Sequence, residues 1–474
     1  MSRPPSPSAL EALARLLGPK GYTTDADTMA PWLTDWRGKY HGAAAAMLSP
    51  ATAEEVAAVV RLCAEHDLAL VPQGGNSGMV GGAIPDATGT QLLLSTRRMN
   101  HIRSIDPVAG LAVVEAGVIL ETLHNAAQEQ RLRFPLTLGG KGSATIGGLV
   151  STNAGGTQVL RHGTMRALVA GIEAVLPDGS IFDGLAPLKK DNRGYDLRQL
   201  FCGAEGTLGI VTAACLRLVP AAAARRTAWI GLRSPDDALV LLRALDAAIG
   251  HELEGFEIIP QSCLDAVLRH IPQTRTPLGD RHPWYALIEL AGEDEGAMDA
   301  LLQGELAAAL ETGLIADAVV AKSDRESEDF WRLRDSISEA ERAEGPAVQH
   351  DISVPVDRMP AFIAENPVRL AAAFPGVRTL SFGHLGDGNI HHHVQPPQDS
   401  DGAAWLAAHG EALSRLVYTH VIEMGGSISA EHGIGQMKRD ILAELDSPAR
   451  LAALRGIKAG LDPARILNPG KLIA

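Results

Sequence analysis

Four of the chain's 16 histidines fall within the twelve residues 382–393, which read FGHLGDGNIHHH. The Gly-Asp-Gly sequence between His384 and His391 favours a turn, which would fold the chain so that the two imidazoles converge. If the three consecutive histidines form a strand, His391 and His393 share one face and His392 points away. The residue types and their spacing therefore predict that at least two histidines meet.

A carboxylate is available further along the chain, at Glu431 in the segment SAEHGIG of residues 429–435. Two histidines and one carboxylate are typical of an open site for a divalent cation of the zinc, manganese or iron type. The alternative is a set of ordinary surface or core histidines. Their density in one short window, together with the second motif, favours the metal site.

Three glycine-rich segments precede this region, at residues 72–78 (PQGGNSG), 147–156 (GGLVSTNAGG) and 203–210 (GAEGTLGI). Glycines let a backbone approach a phosphate closely and point several N–H groups at it. None of the segments is a Walker loop, because no Gly-Lys-Ser/Thr follows, and none has the GxGxxG dinucleotide pattern. Three such segments in order indicate one extended cofactor that lies over several loops.

Local signals place these segments among helices and strands. Thr52 opens a capping box for a helix, and residues 68–72 form a short apolar strand that leads into the first glycine segment. Residues 174–180 carry a hairpin signal, and residues 330–344 resemble one continuous helix. After Pro220 the sequence changes to alanine-rich helices that alternate with strands, so we expect a domain boundary near residue 220.

Composition bounds the class of protein. At 474 residues the chain is too long for one compact core. Its formal net charge of −14 argues against nucleic acid or an anionic membrane as the main partner. The four cysteines, Cys63, Cys202, Cys215 and Cys263, show no CxxC spacing and are expected to be buried thiols. There is no signal peptide pattern and no apolar run of membrane-spanning length, so a soluble cytoplasmic protein is expected.

The order of the three glycine segments resembles the FAD-binding domain of the vanillyl-alcohol oxidase/PCMH flavoprotein superfamily. The resemblance implies an α+β fold with a PCMH-type FAD-binding domain at residues 1–220. An α+β substrate (cap) domain that carries metal ligands would follow at 221–425. A C-terminal segment at 426–474, with the Glu-His-Gly motif, would return to the flavin.

The same resemblance implies how FAD is held. Residues 74–78 would bind the pyrophosphate, and Gly206 and Ile210 would flank the adenosine side. Some relatives attach the flavin covalently through a histidine of the first loop, where this chain has Asn76, so FAD is expected to be non-covalent. The residues implied to contact FAD are Pro72, Gly74, Gly75, Asn76, Ser77, Gly78, Gly82, Ser143, Gly147, Gly148, Thr152, Asn153, Gly156, Gly206, Ile210 and Asn468.

From Asp35 to the NPGK of residues 468–471, the chain resembles the FAD-linked D-lactate dehydrogenase/D-2-hydroxyglutarate dehydrogenase family. The metal is expected to be zinc, with manganese or iron as alternatives, since two histidines and one carboxylate suit these cations. A 2-hydroxy acid can chelate such a cation, which lowers the pKa of its hydroxyl; a neutral histidine then takes the proton and the C2 hydride passes to the flavin. The implied metal ligands are His384, His391 and Glu431, and the implied catalytic base is His432.

The substrate would be held, by the same resemblance, by Arg334, Ser338, Gln349, Asn389 and His393. Arg334 could clamp a carboxylate through its planar guanidinium. Two positions depart from the hydroxyglutarate pattern, which usually has Lys where this chain has Gln349 and Asn where it has His393. The missing positive charge weakens the case for a second carboxylate on the substrate.

D-2-hydroxyglutarate is therefore the first candidate substrate, with D-lactate, D-malate or another D-2-hydroxy acid as alternatives. A metallohydrolase, in which the same ligands activate water, is the alternative from another class of enzyme. The resemblance further implies an electron acceptor, either an electron-transfer protein or a quinone, and a homodimer.

Overall fold

The computed structural model describes residues 3–473. Several of its helices begin at short polar side chains. Thr52 accepts a hydrogen bond from the backbone N–H of Glu55 at 3.2 Å, and the Glu55 carboxylate accepts one from the N–H of Ala51 at 2.7 Å. Ser234 and Ser323 cap two later helices through their hydroxyls. Such bonds satisfy N–H groups that have no partner in the first turn, and so they fix where each helix starts.

Helices and strands follow one another along the whole described chain. The helices are α1 (Pro7–Gly21), α2 (Ala26–Met29), α3 (Ala53–Glu65), α4 (Leu120–Glu129), α5 (Ile146–Thr152), α6 (Val159–His162), α7 (Met165–Leu168), α8 (Leu197–Phe201), α9 (Pro235–Ile249), α10 (Gln261–His270), α11 (Glu295–Glu311), α12 (Asp324–Asp335), α13 (Ile337–Glu344), α14 (Met359–Ala373), α15 (Gly402–Glu423), α16 (Arg439–Leu445) and α17 (Pro448–Leu461). The strands are β1 (Tyr22–Thr23), β2 (Ala46–Leu48), β3 (Leu70–Gln73), β4 (Leu92–Ser95), β5 (Ile102–Asp106), β6 (Leu111–Glu115), β7 (Leu132–Arg133), β8 (Val169–Val175), β9 (Ile181–Gly184), β10 (Ile210–Arg217), β11 (Val219–Pro220), β12 (Ala224–Leu232), β13 (Leu253–Pro260), β14 (Trp284–Gly292), β15 (Asp317–Val320), β16 (Val348–Ser353), β17 (Arg378–His384) and β18 (Asn389–Gln395).

The chain forms two compact units. The first comprises the chain up to Gly156, Gly163–Ala221 and the chain from Glu431 on. The second comprises Thr157–His162 and Ala222–Ala430. Residues 157–162 differ from the predicted division, which placed them in the FAD-binding domain. Helix α6 belongs to the second unit because Arg161 donates to the Glu254 carboxylate at 3.1 Å and to the Ala291 carbonyl at 2.6 Å.

The first unit contains a four-stranded sheet of order β1-β2-β4-β3 and a five-stranded antiparallel sheet of order β5-β6-β10-β8-β9. The predicted hairpin is present, since Val175 of β8 pairs with Ile181 of β9. Strand β3 runs parallel to β4 and leads into the first glycine segment. On its other side Leu70 of β3 forms a parallel bridge with Leu467, so the C-terminal segment returns to this sheet.

The second unit is built on a seven-stranded antiparallel sheet of order β15-β12-β14-β13-β17-β18-β16. Helices α10, α12 and α13 supply apolar side chains to a core on one face of the sheet, which includes Phe330, Leu333 and Phe382. Helices α14 and α15 pack together, and α15 contacts β16. The sheet positions two of the candidate metal ligands, His384 of β17 and His391 of β18, because it sets which strand residues lie side by side.

The four cysteines are buried and free, as predicted. None of the helices within residues 3–473 is long and apolar enough to cross a membrane.

Candidate functional site

A β-hairpin in the second unit, β17–β18, carries the histidines of the 382–393 window. Its register pairs His384 with Asn389 and Phe382 with His391. The turn between the strands closes through the Gly388 N–H, which donates to the His384 carbonyl at 3.0 Å. Gly388 has φ +80°, and an added Cβ would lie 2.1 Å from a backbone oxygen, so only glycine fits this turn.

The hairpin brings His384 and His391 together on one face of the sheet. Their ring centroids lie 5.4 Å apart, and a ring nitrogen of each lies within 4.8 Å of one of the other. His392 lies on the opposite face, where its Nδ1 is 2.8 Å from the Ser381 hydroxyl and its ring packs against Phe362. This is the alternation that the period of a strand predicts.

The buried carboxylate of Glu257 is hydrogen-bonded to His384. Glu257 of β13 lies directly across from His384, and its Oε1 accepts a hydrogen bond from His384 Nδ1 at 2.5 Å. Its Oε2 accepts one from Arg334 Nε at 2.8 Å. Burial alone would raise the pKa of the Glu257 carboxyl, but Arg334 and His384 outweigh it and hold that pKa well below its usual value. Glu257 therefore contributes a fixed negative charge.

Burial, with the neighbouring charges of Arg334 and His384, holds the pKa of His391 well below its usual value. A histidine in this setting is neutral near pH 7, and a neutral imidazole is the form that binds a metal. The donor set of the hairpin therefore fits a divalent cation.

The predicted substrate residues of β16 and β18, Gln349, Asn389 and His393, lie on the same face. Gln349 of β16 lies directly across from His393 of β18. His393 is buried, and its Nδ1 bonds to the Glu341 carboxylate of α13. The other oxygen of that carboxylate, Oε1, is buried with no hydrogen-bond partner among the described residues. Asn389 donates to the Asp351 carboxylate at 2.9 Å.

The helix that carries Arg334 differs from the prediction. Residues 330–344 are not one continuous helix, because α12 ends at Asp335 and α13 begins at Ile337. Arg334 lies largely buried beside His384, whereas Ser338 is exposed on α13. Of this predicted pair, the structure brings only Arg334 to the histidines.

The first glycine segment packs against residues 143–145, just before the second segment, within the first unit. A Cβ on Gly74 would lie 2.2 Å from Thr145 Oγ1, and one on Gly75 would lie 1.8 Å from the Ser143 carbonyl, so no other residue fits either position. Gly78 borders open space. The Asn76 amide nitrogen donates to the Thr34 carbonyl at 2.9 Å.

The second segment forms α5 and the turn that ends it. The Thr152 hydroxyl donates to the Gly148 carbonyl at 3.0 Å, and Asn153 ends the helix in a left-handed conformation. Backbone lies close behind both ends, with Ala116 against Gly147 and Thr137 against Gly156. The close packing shows why this segment needs small residues even before any ligand is considered.

The third glycine segment and the C-terminal segment carry the last of the residues predicted to contact FAD. Gly206 has φ +70° and packs against the Pro72 ring. Ile210 of β10 is 1% exposed and lies in the hydrophobic core. The Asn468 amide donates to the carbonyls of Gly82 at 3.0 Å and of residue 205 at 2.6 Å. The predicted assembly of three glycine segments at one place is therefore present in the first unit.

Glu431 and His432 open the C-terminal part of the first unit. The loop that follows them is held by Glu205, whose carboxylate accepts the N–H groups of Ile434 and Gly435, both at 2.7 Å. No local sequence pattern indicates this contact, since Glu205 lies more than 200 residues earlier. The Glu-His-Gly motif thus has a defined anchor.

Comparison with known proteins agrees with these observations. A model of the FAD binding domain matches residues 44–184, and a model of the C-terminal domain of FAD linked oxidases matches residues 221–472. The chain is 38% identical to the mitochondrial D-2-hydroxyglutarate dehydrogenase of Bos taurus over 98% of its own length and 83% of that protein. The chain belongs to the FAD-linked D-2-hydroxyglutarate dehydrogenase/D-lactate dehydrogenase family. It is an FAD-dependent dehydrogenase, as predicted.

Two further relatives extend the match. A D-2-hydroxyglutarate dehydrogenase of Xanthomonas citri pv. viticola is 39% identical over 92% of this chain and 91% of that protein. The D-2-hydroxyglutarate–pyruvate transhydrogenase of Saccharomyces cerevisiae is 33% identical over 94% of this chain and 90% of its own. The metallohydrolase alternative does not account for the FAD-binding match.

Solved structures confirm the predicted PCMH-type fold. p-Cresol methylhydroxylase, solved with substrate bound, superposes with a TM-score of 0.76 at 17% identity. A 4-ethylphenol oxidase from Gulosibacter chungangensis, solved with isoeugenol, gives 0.73 at 22%. Each comparison covers 98% of this chain and 96% of the other.

Proposed function

We propose that this enzyme oxidises a D-2-hydroxy acid to the 2-oxo acid, with D-2-hydroxyglutarate as the first candidate and a divalent metal in the site. The observation that carries the proposal is the convergence of His384 and His391 beside Arg334 in a chain of this family. The names of the relatives support the substrate class. D-lactate and D-malate are the second candidates.

The proposed metal ligands are His384, His391 and Glu431, with zinc as the first choice and manganese or iron as alternatives. Ser427 pairs with Ser353 at the end of β16. Ser353 lies across from Asn389 on β18, and Asn389 lies across from His384 on β17. Because Glu431 follows Ser427 by four residues, the Cα atoms of the two residues lie at most about 14 Å apart. A divalent cation, when bound, would lower the pKa of the substrate hydroxyl.

Within this proposal each residue has one task. His432 accepts the hydroxyl proton, since a neutral imidazole is a common general base in enzymes. Arg334 binds a substrate carboxylate, because it lies beside His384 and its planar guanidinium can donate two parallel hydrogen bonds to a carboxylate. Asn389 Oδ1 is buried without a partner among the described residues, which supports a role as an acceptor for a substrate donor.

For FAD we propose the three glycine segments with Ser143 and Asn468. The hydroxyl of Thr145 and Oδ1 of Asn468 are buried polar atoms without a partner among the described residues. A cofactor with its own donors and acceptors would satisfy such atoms, which otherwise cost free energy. FAD, when bound, accepts the electrons and the hydrogen that leave C2 of the substrate.

FAD is expected to be non-covalent, because Asn76 carries an amide that is not a nucleophile and already donates to Thr34. Acid or heat denaturation should therefore release the yellow colour into the supernatant. A flavin that stays on the denatured polypeptide, seen as a fluorescent band on a denaturing gel, would contradict this.

The subsite proposed for the substrate tail contains both positions at which this chain departs from the hydroxyglutarate pattern, Gln349 and His393. Gln349 is neutral, and His393 beside it is already bonded to Glu341, whose second oxygen is a buried acceptor. An acceptor-rich subsite disfavours a second carboxylate. This observation is what keeps D-lactate and D-malate close behind D-2-hydroxyglutarate.

Gln349→Lys should raise the preference for D-2-hydroxyglutarate over D-lactate by about one to two orders of magnitude. The reason is that a hydrogen bond to a charged group is worth about 1.5–3 kcal/mol. The measurement is kcat/KM on a panel of D- and L-2-hydroxy acids with an artificial electron acceptor. Gln303→Lys, on the exposed surface of α11, controls for the added charge. An unchanged ratio would show that Gln349 does not contact the tail.

The electron acceptor, for which we propose an electron-transfer protein or a quinone, stays a prediction, as do the homodimer and the cytoplasmic location.

A further inference from the structure

Glu257 uses both of its carboxylate oxygens on two different parts of the proposed site. Oε1 accepts from Nδ1 of His384 at 2.5 Å, and Oε2 accepts from Nε of Arg334 at 2.8 Å. The Glu257 side chain is 1% exposed, and that of Arg334 is 11% exposed. A buried carboxylate with these two partners ties a metal ligand to a substrate-binding residue through one rigid group.

The bonds on the two sides of His384 agree on one tautomer. An ionised carboxylate can only accept, so Nδ1 of His384 must carry a hydrogen. Nη2 of Arg334 lies 3.3 Å from Nε2 on the other side of the ring, and a guanidinium can only donate. Nε2 is therefore the nitrogen with the lone pair, which is the atom a cation needs.

The negative charge of Glu257 also favours a cation at His384. A divalent cation beside Arg334 would meet a positive charge at close range, and the buried Glu257 carboxylate offsets it. Outer carboxylates of this kind orient a ligating histidine and raise its basicity, and their loss typically weakens metal binding by about 10–100-fold.

We infer that Glu257 is a positioning residue that fixes the His384 tautomer for metal binding and holds Arg334 in place for the substrate carboxylate. The inference rests on the proposed metal site. Nothing local in the sequence indicates it, since Glu257 precedes His384 by 127 residues.

The test is metal affinity, measured by competition with a chromophoric chelator and independent of turnover. Glu257→Gln keeps the shape of the side chain and removes its charge, and it should weaken metal binding by about 10–100-fold while FAD content stays unchanged. At saturating metal its KM for the 2-hydroxy acid should stay raised, because Arg334 loses its partner. Glu254→Gln is the matched control, since Glu254 lies on the same strand, is equally buried and pairs with Arg161 at 3.1 Å. It should bind metal as the wild type does.

A second measurement needs no Glu257 variant to fold. In metal-free wild-type protein labelled with ¹⁵N-histidine, the His384 resonances, assigned by their loss in His384→Gln, should report hydrogen on Nδ1. Hydrogen on Nε2, or wild-type affinity in folded Glu257→Gln, would overturn the inference and leave the metal site standing. A wild-type protein that binds no metal would overturn both.

Discussion

His384→Ala protein is expected to retain its FAD and to lose turnover by about a thousandfold or more. The reason is that charge stabilisation by a metal is worth several kcal/mol, and each 1.36 kcal/mol is tenfold in rate. A chelator should have the same effect on the wild-type enzyme and leave the flavin spectrum nearly unchanged. The proposed FAD contacts lie in the first unit, whereas His384 lies in the seven-stranded sheet of the second.

The measurements are steady-state turnover, flavin absorbance and elemental analysis on the same preparations. His409→Ala is a suitable control, because this exposed histidine lies on α15 of the same unit, beside Trp405. Full activity in protein shown to be free of metal would refute the ligand assignment.

His432→Ala is expected to lower turnover by roughly 10²–10⁴-fold, the usual contribution of a general base. Its metal content should remain that of the wild type, because the three proposed ligands are intact. The two measurements together separate the role of base from that of ligand. If the variant loses its metal, His432 is a ligand and its role must be exchanged with that of Glu431.

The glycine segments and the alternation of side chains between the two faces of β18 could be predicted, because both depend on local sequence. Three consecutive histidines in a strand must alternate between faces, and the structure places His391 and His393 on one face and His392 on the other. The turn before them was equally predictable, since Gly388 stands where no side chain fits.

The groups that hold these histidines could not be predicted in the same way. Glu257 meets His384 through the pairing of β13 with β17, and Glu341 meets His393 from a helix that packs on the sheet. Such contacts depend on strand register and packing across the whole unit, which no local pattern encodes. The break between α12 and α13 could not be predicted either, because Ser336 is compatible with both a continuous and an interrupted helix.

Anaerobic mixing of the purified enzyme with each 2-hydroxy acid, while the flavin absorbance is followed, tests whether the enzyme oxidises a D-2-hydroxy acid. We expect D-2-hydroxyglutarate, or D-lactate or D-malate if the tail subsite prefers them, to bleach the oxidised flavin, and the L-enantiomers to leave it oxidised. Flavin that stays oxidised with every D-acid, or that is reduced only by L-acids, would contradict this expectation.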